Sequence, residues 1–323
     1  SLVGNRGIIL IQEYVMQIDT QDQKVLTQSG LEIKYSKVVI STGSTTNYFG
    51  IPGALEHTLS FHNLGDVKLL RKQIKEFKKF QEMSNNLVVV GAGATGVELA
   101  CKLSDLLKDK VQIHLVEMGP MVLPHGKSFN KEQSERALNK RKIRIHSQTK
   151  VIGITAHHVE LQSLEDSKLL SFNLPCRVAI WTAGAKAVLP EIIPQPVLMQ
   201  GKIPVDQYLN VIGLPNLLAV GDISFHQHIS YPTTAQVAMQ QGEAASINLA
   251  ASLQGTKQKA FNFNDLGEML SLGIGEASVT AFGLTMVGPL AFQVRRIAYL
   301  SKLPNMSLAL RSASAWLLGA TKK

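Results

Sequence analysis

Leu87-Val88-Val89-Val90-Gly91-Ala92-Gly93-Ala94-Thr95-Gly96-Val97-Glu98-Leu99-Ala100 is the stretch that decides the fold. Its apolar run is too short for a buried helix and leads straight into Gly-x-Gly-x-x-Gly. Val97, Ala100, Leu103, Leu106 and Leu107 then recur at helical spacing. The pattern predicts strand, glycine turn, helix. Only glycine lets the backbone turn this tightly and come close to a pyrophosphate, and the helix opening at residues 93–96 offers free N–H groups and a positive dipole end to the anion. A second apolar run, residues 111–116, ends in Glu117, about twenty residues beyond Gly96, where a carboxylate accepts the ribose hydroxyls of an adenosine half. Together these features predict a dinucleotide-binding βαβ unit.

At 323 residues the chain exceeds the usual size of one hydrophobic core, so more than one domain is expected. A hydrophobic fraction of 45 % with 18 % charged residues excludes a disordered or fibrous chain. The formal charge of +9 suits an anionic partner, a membrane surface or a nucleic acid. Cys101 and Cys176 form no metal-type spacing and read as buried thiols of a reducing compartment. No basic segment followed by an apolar one marks a secretory signal, so the chain is not expected to be secreted.

Residues 1–43 alternate apolar and polar in short runs (7–11, 14–18, 24–26, 31–33) with a turn at Gln28-Ser29-Gly30, a β-meander. It closes on Val38-Val39-Ile40-Ser41-Thr42-Gly43, a buried strand stopped by glycine. Residues 63–82 predict an amphipathic helix with Leu69, Leu70, Ile74 and Phe77 inward and Lys68, Arg71, Lys72, Lys75, Lys78 and Lys79 outward. No aromatic platform accompanies these cations, so they read as a solvated face and no nucleic acid is expected. A helix over 129–138 and a strand over 143–146 follow, with Lys140, Arg141, Lys142 and Arg144 answering a helix C-terminus. His157 and His158 read as a structural or solvent-facing pair. Two more buried strands end alike, Ile180-Trp181-Thr182-Ala183-Gly184 and Leu218-Ala219-Val220-Gly221-Asp222. An aspartate there points into the crevice where such sheets bind ligands. A helix from 234 to 251 is expected to bury a small-residue face of Ala235, Ala238, Met239, Gly242, Ala245 and Leu249.

These motifs together resemble the two-dinucleotide-fold flavoprotein oxidoreductases. Tyr231-Pro232-Thr233-Thr234-Ala235-Gln236-Val237-Ala238-Met239-Gln240-Gln241-Gly242, with Arg295-Arg296-Ile297-Ala298-Tyr299-Leu300 further on, is similar to one group among them, the type II NAD(P)H:quinone oxidoreductases. The resemblance implies an α/β fold of two nested Rossmann-like domains: a partial FAD domain over 1–60, an NAD(P)H domain over 61–186, a return to the FAD domain over 187–260, and a C-terminal membrane-associated region over 261–323. It implies that Asp222, next to Gly221, holds the ribityl chain of FAD, with Thr42 and Gly43 on its adenosine side. Gly91, Gly93, Gly96, Glu117 and Gly184 would hold NADH in preference to NADPH, because no arginine follows Glu117 to meet a 2′-phosphate. Glu98, in the first helical turn, would sit near the nicotinamide and flavin, and Ala235, Gln236 and Gln240 near the isoalloxazine and quinone. The family's opening strand, Gly-x-Gly-x-x-Gly turn and helix for the FAD pyrophosphate have no counterpart here, so a fragment or a natural truncation is expected, with the flavin affinity of this chain alone open.

After Glu276 there is no acidic residue, while Arg295, Arg296, Lys302, Arg311, Lys322 and Lys323 are basic. Residues 277–294 predict a β-hairpin that enters a helix at Pro289 rather than a membrane span. Leu290, Val294 and Ile297, then Met306, Leu310, Ala313 and Leu317 beside Trp316, repeat at helical spacing, as in helices that lie in a membrane interface. The expected partners are a membrane quinone and an anionic membrane surface on the cytoplasmic face, plasma or thylakoid, with a homodimer open. A soluble relative such as a ferredoxin reductase or apoptosis-inducing-factor-like protein, and a non-catalytic nucleotide-binding remnant, stand as alternatives.

Overall fold

The computed structural model describes residues 7–77, 86–165, 170–303 and 305–320. The chain divides into two compact units, Ser1–Thr45 with Ala185–Asp265, and Thr46–Gly184 with Leu266–Lys323. The cuts fall at 45/46, 184/185 and 265/266, where the sequence reading places them at 60/61, 186/187 and 260/261. The helices are α1 (Ala54–His57), α2 (Leu64–Phe77), α3 (Ala94–Leu107), α4 (Ser128–Lys140), α5 (Ala235–Leu253), α6 (Pro289–Ser301) and α7 (Met306–Ala320).

The larger unit is built on a five-stranded sheet in the order Thr58–Ser60, Val178–Trp181, Asn86–Val90, Gln112–Val116, Arg144–His146, with every neighbouring pair parallel. Alternate side chains serve opposite faces. Leu87, Val89, Ile113, Leu115 and Ile180 share one core with Val97, Ala100, Leu103 and Leu107 of α3 and Leu138 of α4. Val88, Val90, Val116, Ala179 and Trp181 join Val151, Val159, Leu161 and Leu174 of an antiparallel sheet, Thr149–Ile154, His158–Ser163, Ser171–Pro175. Burial on both faces is why these strands are continuous apolar runs in the sequence. Each fully buried Leu or Val contributes about 1.5–3 kcal/mol. In α2, Leu70 is buried and Leu69 is 55 % exposed, so the inward stripe is narrower than expected. The side chain of Phe77 lies outside the described residues, as do Lys78 and Lys79.

The expected hairpin is present as Ala277–Ala281 and Leu284–Gly288, paired to Glu268–Ser271, and Pro289 opens α6. The connection from Glu268–Ser271 into the hairpin is tied to α3 and the end of α4 by charge. Arg141, its side chain 8 % exposed, meets Asp105 at 2.7 and 3.1 Å and Glu276 at 3.0 Å, and Asp105 also accepts the Ile274 N–H. Burial alone would pull the guanidinium down, yet the bonds to Asp105 and Glu276 hold it above its ordinary value. This corrects the reading of Arg141 as a cation attracted only by a helix dipole: it is a buried ion-pair centre, whose loss would strand two partners.

The smaller unit carries a mixed sheet in the order Ser224–His226, Ile203–Val205, Asn210–Val211, Leu214–Ala219, Val38–Ile40. Leu214–Ala219 and Val38–Ile40 run parallel, Leu218 opposite Val39. A four-stranded sheet, Glu191–Ile193, Val15–Asp19, Lys24–Thr27, Glu32–Lys34, forms the meander. Residues 8–11 are not a strand, and their side chains are exposed, so alternation alone misled there. The buried face of α5 is Val237, Gln241, Ala245, Asn248 and Ala251, while Met239 is 51 % exposed and Gly242 is exposed. The small-residue face expected from the sequence is therefore offset by two buried amides.

Candidate functional site

In the larger unit, Gly91 has φ +97°, and a Cβ on it would lie 2.9 Å from the Ala183 backbone. A Cβ on Gly96 would run into the Gly91 carbonyl oxygen. Gly93 differs: it is exposed, and a Cβ there would meet nothing within 4 Å. Two glycines thus permit strand and helix to close up, and the third leaves space over the N-terminus of α3, where no side chain caps the helix. That cradle fits a dinucleotide pyrophosphate. Glu117, just past the strand Gln112–Val116, accepts the Ala92 N–H on one carboxylate oxygen and the Gly119 N–H on the other, both at 2.8 Å. Each oxygen keeps a second lone pair for a ribose hydroxyl. Gly184 ends the strand Val178–Trp181 with φ +70°, and Thr182 donates to the Val90 and Gly91 carbonyls at 2.8 and 3.0 Å.

Glu98 is the fifth residue of α3, in its second turn rather than its first, so it does not answer the helix N-terminus. Its Oε1 accepts the Ser271 N–H at 2.7 Å and Arg295 Nη2 at 3.2 Å. Arg295, on α6, lies over the Tyr299 ring at 4.7 Å. The sequence names Glu98 but not its partners, which come from the strand Glu268–Ser271 and from α6, 173 and 197 positions on.

In the smaller unit Asp222 lies in the short turn Gly221–Ile223 at the end of Leu214–Ala219 and accepts the Ser44 hydroxyl at 2.6 Å. Gly43 has φ +72° with open space around a Cβ position, and Thr42 donates to the Val188 carbonyl. These residues fit the polar support of a flavin nucleotide chain. Thr234 caps α5 by accepting the Val237 N–H, and Ala235 and Gln236 form its first turn. Buried Gln241, which sequence reasoning passed over, accepts the Gly221 N–H at 2.6 Å and so fixes the turn that carries Asp222. Its position one turn past Val237 on the inward face was the available signal. Gln240 donates to the Asn264 carbonyl at 2.8 Å and accepts the Asn264 N–H at 2.9 Å, which engages both ends of its amide. Asn248 does the same with Lys259, at 2.9 and 2.8 Å, so two amides of α5 hold the segment 259–264.

Both cysteines are free and buried, and burial pushes Cys101 up to about 12 and Cys176 up to about 11, which disfavours their thiolates. Among the described residues no helix is long and apolar enough to cross a membrane, and no group of three or more His, Cys, Asp or Glu is placed to hold a metal.

The family model described as pyridine nucleotide-disulphide oxidoreductase matches residues 3–242. Demethylphylloquinone reductase of Synechocystis sp. is 32 % identical over 325 residues, covering 98 % of this chain and 79 % of that protein. The alternative NAD(P)H-ubiquinone oxidoreductase C1 of Arabidopsis thaliana is 29 % identical, covering 93 % of this chain and 62 % of that protein. NDH2 of Plasmodium falciparum, solved in complex with NADH, superposes with a TM-score of 0.82 at 17 % identity over 91 % of this chain and 80 % of that one, which shows a shared fold. With its glycine cradle, its Gly-Asp turn and this likeness along nearly its whole length, the chain belongs to the pyridine nucleotide-disulphide oxidoreductases, in the group of type II NAD(P)H:quinone oxidoreductases.

Proposed function

We propose that the chain binds NADH in its larger unit and FAD through its smaller one, and reduces a membrane quinone. The observation that carries this reading is the pairing of two preformed nucleotide supports, Gly91-Gly93-Gly96 with Glu117, and Gly221-Asp222 with Ser44. When bound, FAD supplies the redox chemistry, taking a hydride from the nicotinamide and passing two electrons to the quinone. The protein's part is positioning. The N-terminus of α3 faces the pyrophosphate, Glu117 takes the ribose hydroxyls, and Asp222 receives the ribityl hydroxyls while Ser44 and Gln241 fix its place. Glu98, paired with Arg295, is the carboxylate assigned to the reacting end of the nicotinamide. Ala235 and Gln236 stand at the opening turn of α5 on the quinone side. Gln240 serves there by fixing segment 259–264, because its amide is fully bonded to Asn264. Stopped-flow mixing of flavin-loaded protein tests this: NADH should bleach the flavin band, and a short-chain quinone should restore it within the turnover time. Bleaching that quinone leaves unrestored, while an iron–sulfur acceptor restores it, would favour a ferredoxin-reductase activity instead.

The quinone reading requires access to a bilayer, and the C-terminal surface supplies a candidate. Leu290 and Ile297 of α6 are 68 % and 65 % exposed, and Met306 and Leu310 of α7 are 75 % and 65 % exposed. Phe282 and Leu284 at the hairpin tip are 82 % and 70 % exposed. Large apolar side chains exposed on these three elements, with Arg296 stacked over Trp316 at 4.6 Å and no acidic residue after Glu276, are what an interfacial surface needs. Co-sedimentation with anionic vesicles should fall as salt rises and fall further in Leu290→Glu/Ile297→Glu. Binding indifferent to both would remove this surface from the proposal.

A further inference from the structure

The strand that leads to Glu117 and its parallel neighbour hold a pair of imidazoles, His114 buried and His146 half-buried. His114, on Gln112–Val116, and His146, on the parallel strand Arg144–His146, approach with Nδ1 of the first 2.9 Å from Nε2 of the second. Their ring planes differ by 14° and their centroids lie 5.2 Å apart. That separation equals the nitrogen contact plus two ring radii, so the rings meet edge to edge along a hydrogen bond rather than face to face. His114 is 2 % exposed, and its Nε2 has no partner among the described residues. The sheet packed against the pair brings the uncharged ring of Phe172 to His146, and Arg144 is the charged side chain acting on both rings.

His146 is also the residue on which Glu117 rests. Its carbonyl accepts the Glu117 N–H at 2.8 Å, Thr149 N–H donates to the Glu117 carbonyl at 2.9 Å, and Gln148 N–H donates to the Gly119 carbonyl at 2.9 Å. Gly119 in turn gives its N–H to the Glu117 carboxylate. The segment following the imidazole pair therefore forms the bed of the carboxylate. We propose that the neutral His114–His146 pair is a positioning element for Glu117, and that acid, by charging the pair, loosens this bed and weakens binding of the adenosine ribose.

The proposal rests on the reading of Glu117 as a ribose ligand. With both rings neutral, the one proton between the contacting nitrogens lets one ring donate and the other accept. Charging both would set two donors against each other in a site whose nearby charge is already positive. Burial, then His146, then Arg144 push His114 down to about 4, and burial and Arg144 lower His146 as well. Both lie below the ordinary value near 6.5. The stability they give the folded state is therefore complete above about pH 6.5 and is lost as pH falls from there toward 4.

The test is calorimetric titration of ADP-ribose, which carries the adenosine ribose and pyrophosphate but no nicotinamide, into the flavin-loaded full chain between pH 7.5 and 4.0. The dissociation constant should rise about twofold or more at pH 4.0, where a ring held at about 4 is half charged. The double substitution His114→Asn/His146→Gln sets a non-titrating amide where each contacting nitrogen stands. It should bind within about twofold of the wild type at pH 7.5 and lose the acid rise. A flat wild-type profile, or the same acid rise in the double variant, overturns the proposal. Should the double variant fail to fold, the wild-type profile with His146→Gln alone decides in the same way. Glu117→Gln, titrated alongside at pH 7.5, separates the two layers: unchanged affinity there would show that the ribose assignment itself is wrong.

Discussion

Gly96→Ala is expected to lower NADH-dependent turnover about a hundredfold or more, and Gly93→Ala to weaken nucleotide binding while leaving thermal stability close to wild type. The contrast follows from what each Cβ would meet. At Gly96 it collides with the Gly91 carbonyl oxygen, with the Thr182 hydroxyl 2.9 Å away, and that hydroxyl is itself bonded to Val90 and Gly91. Backbone lies against backbone at this junction, so relief requires α3 to move off the sheet. Overpacking of this kind costs about 1–3 kcal/mol or more in stability, and a shift of about 1 Å at a binding element can cost on the order of a hundredfold in rate. At Gly93 the backbone has φ −68°, which alanine adopts without strain, and the space beyond is open. An alanine methyl there harms only a ligand that occupies the space. Melting curves and ADP-ribose titrations of the two variants check this. Wild-type affinity in Gly93→Ala would move the pyrophosphate off this turn, whatever Gly96→Ala does.

What the sequence made legible is what is local in the chain. The glycine turn, the apolar strands on either side and the acidic residue about twenty positions on lie within one βαβ unit, and the hairpin that gives way to a helix at Pro289 is signalled by glycine and proline in short order. What stayed hidden depends on partners far apart in the chain. Asp105 and Glu276 stand 36 and 135 positions from Arg141, and the gathering of two carboxylates around one buried guanidinium leaves no periodic trace. The sequence reading puts Glu98 in the first helical turn with no partner named, because its partners, Ser271 and Arg295, come from the C-terminal elements. The buried amides Gln241 and Asn248 broke the small-residue face expected of α5, since a polar side chain can sit inward when a turn or strap presents backbone groups to it. Gln240, singled out for the quinone side, is bonded at both ends of its amide for the same reason.

That anchoring has a consequence for the choice between NADH and NADPH. Glu117 is not a loose carboxylate that could swing away from a 2′-phosphate, because the Ala92 and Gly119 N–H groups hold both of its oxygens. A second negative charge brought within about 4 Å of it would meet a repulsion of about 1–4 kcal/mol, depending on how much water remains between them. Gly119 and Pro120, just beyond it, carry no cation to offset that repulsion. Glu117→Gln removes the charge but also turns one end of the side chain into a donor that faces a backbone N–H. NADH is therefore expected to lose roughly tenfold to fiftyfold in kcat/KM, from a weakened ribose contact and a less well held loop. NADPH loses the repulsion as well as the contact, so its kcat/KM should hold or rise, and the preference for NADH should shrink by about tenfold or more. Steady-state kinetics with both nucleotides, at fixed ionic strength because the repulsive part is screened by salt, measure the ratio directly. If both nucleotides fall in the same proportion, the carboxylate supports the loop without selecting the ribose, and selection must be sought among other residues of the larger unit.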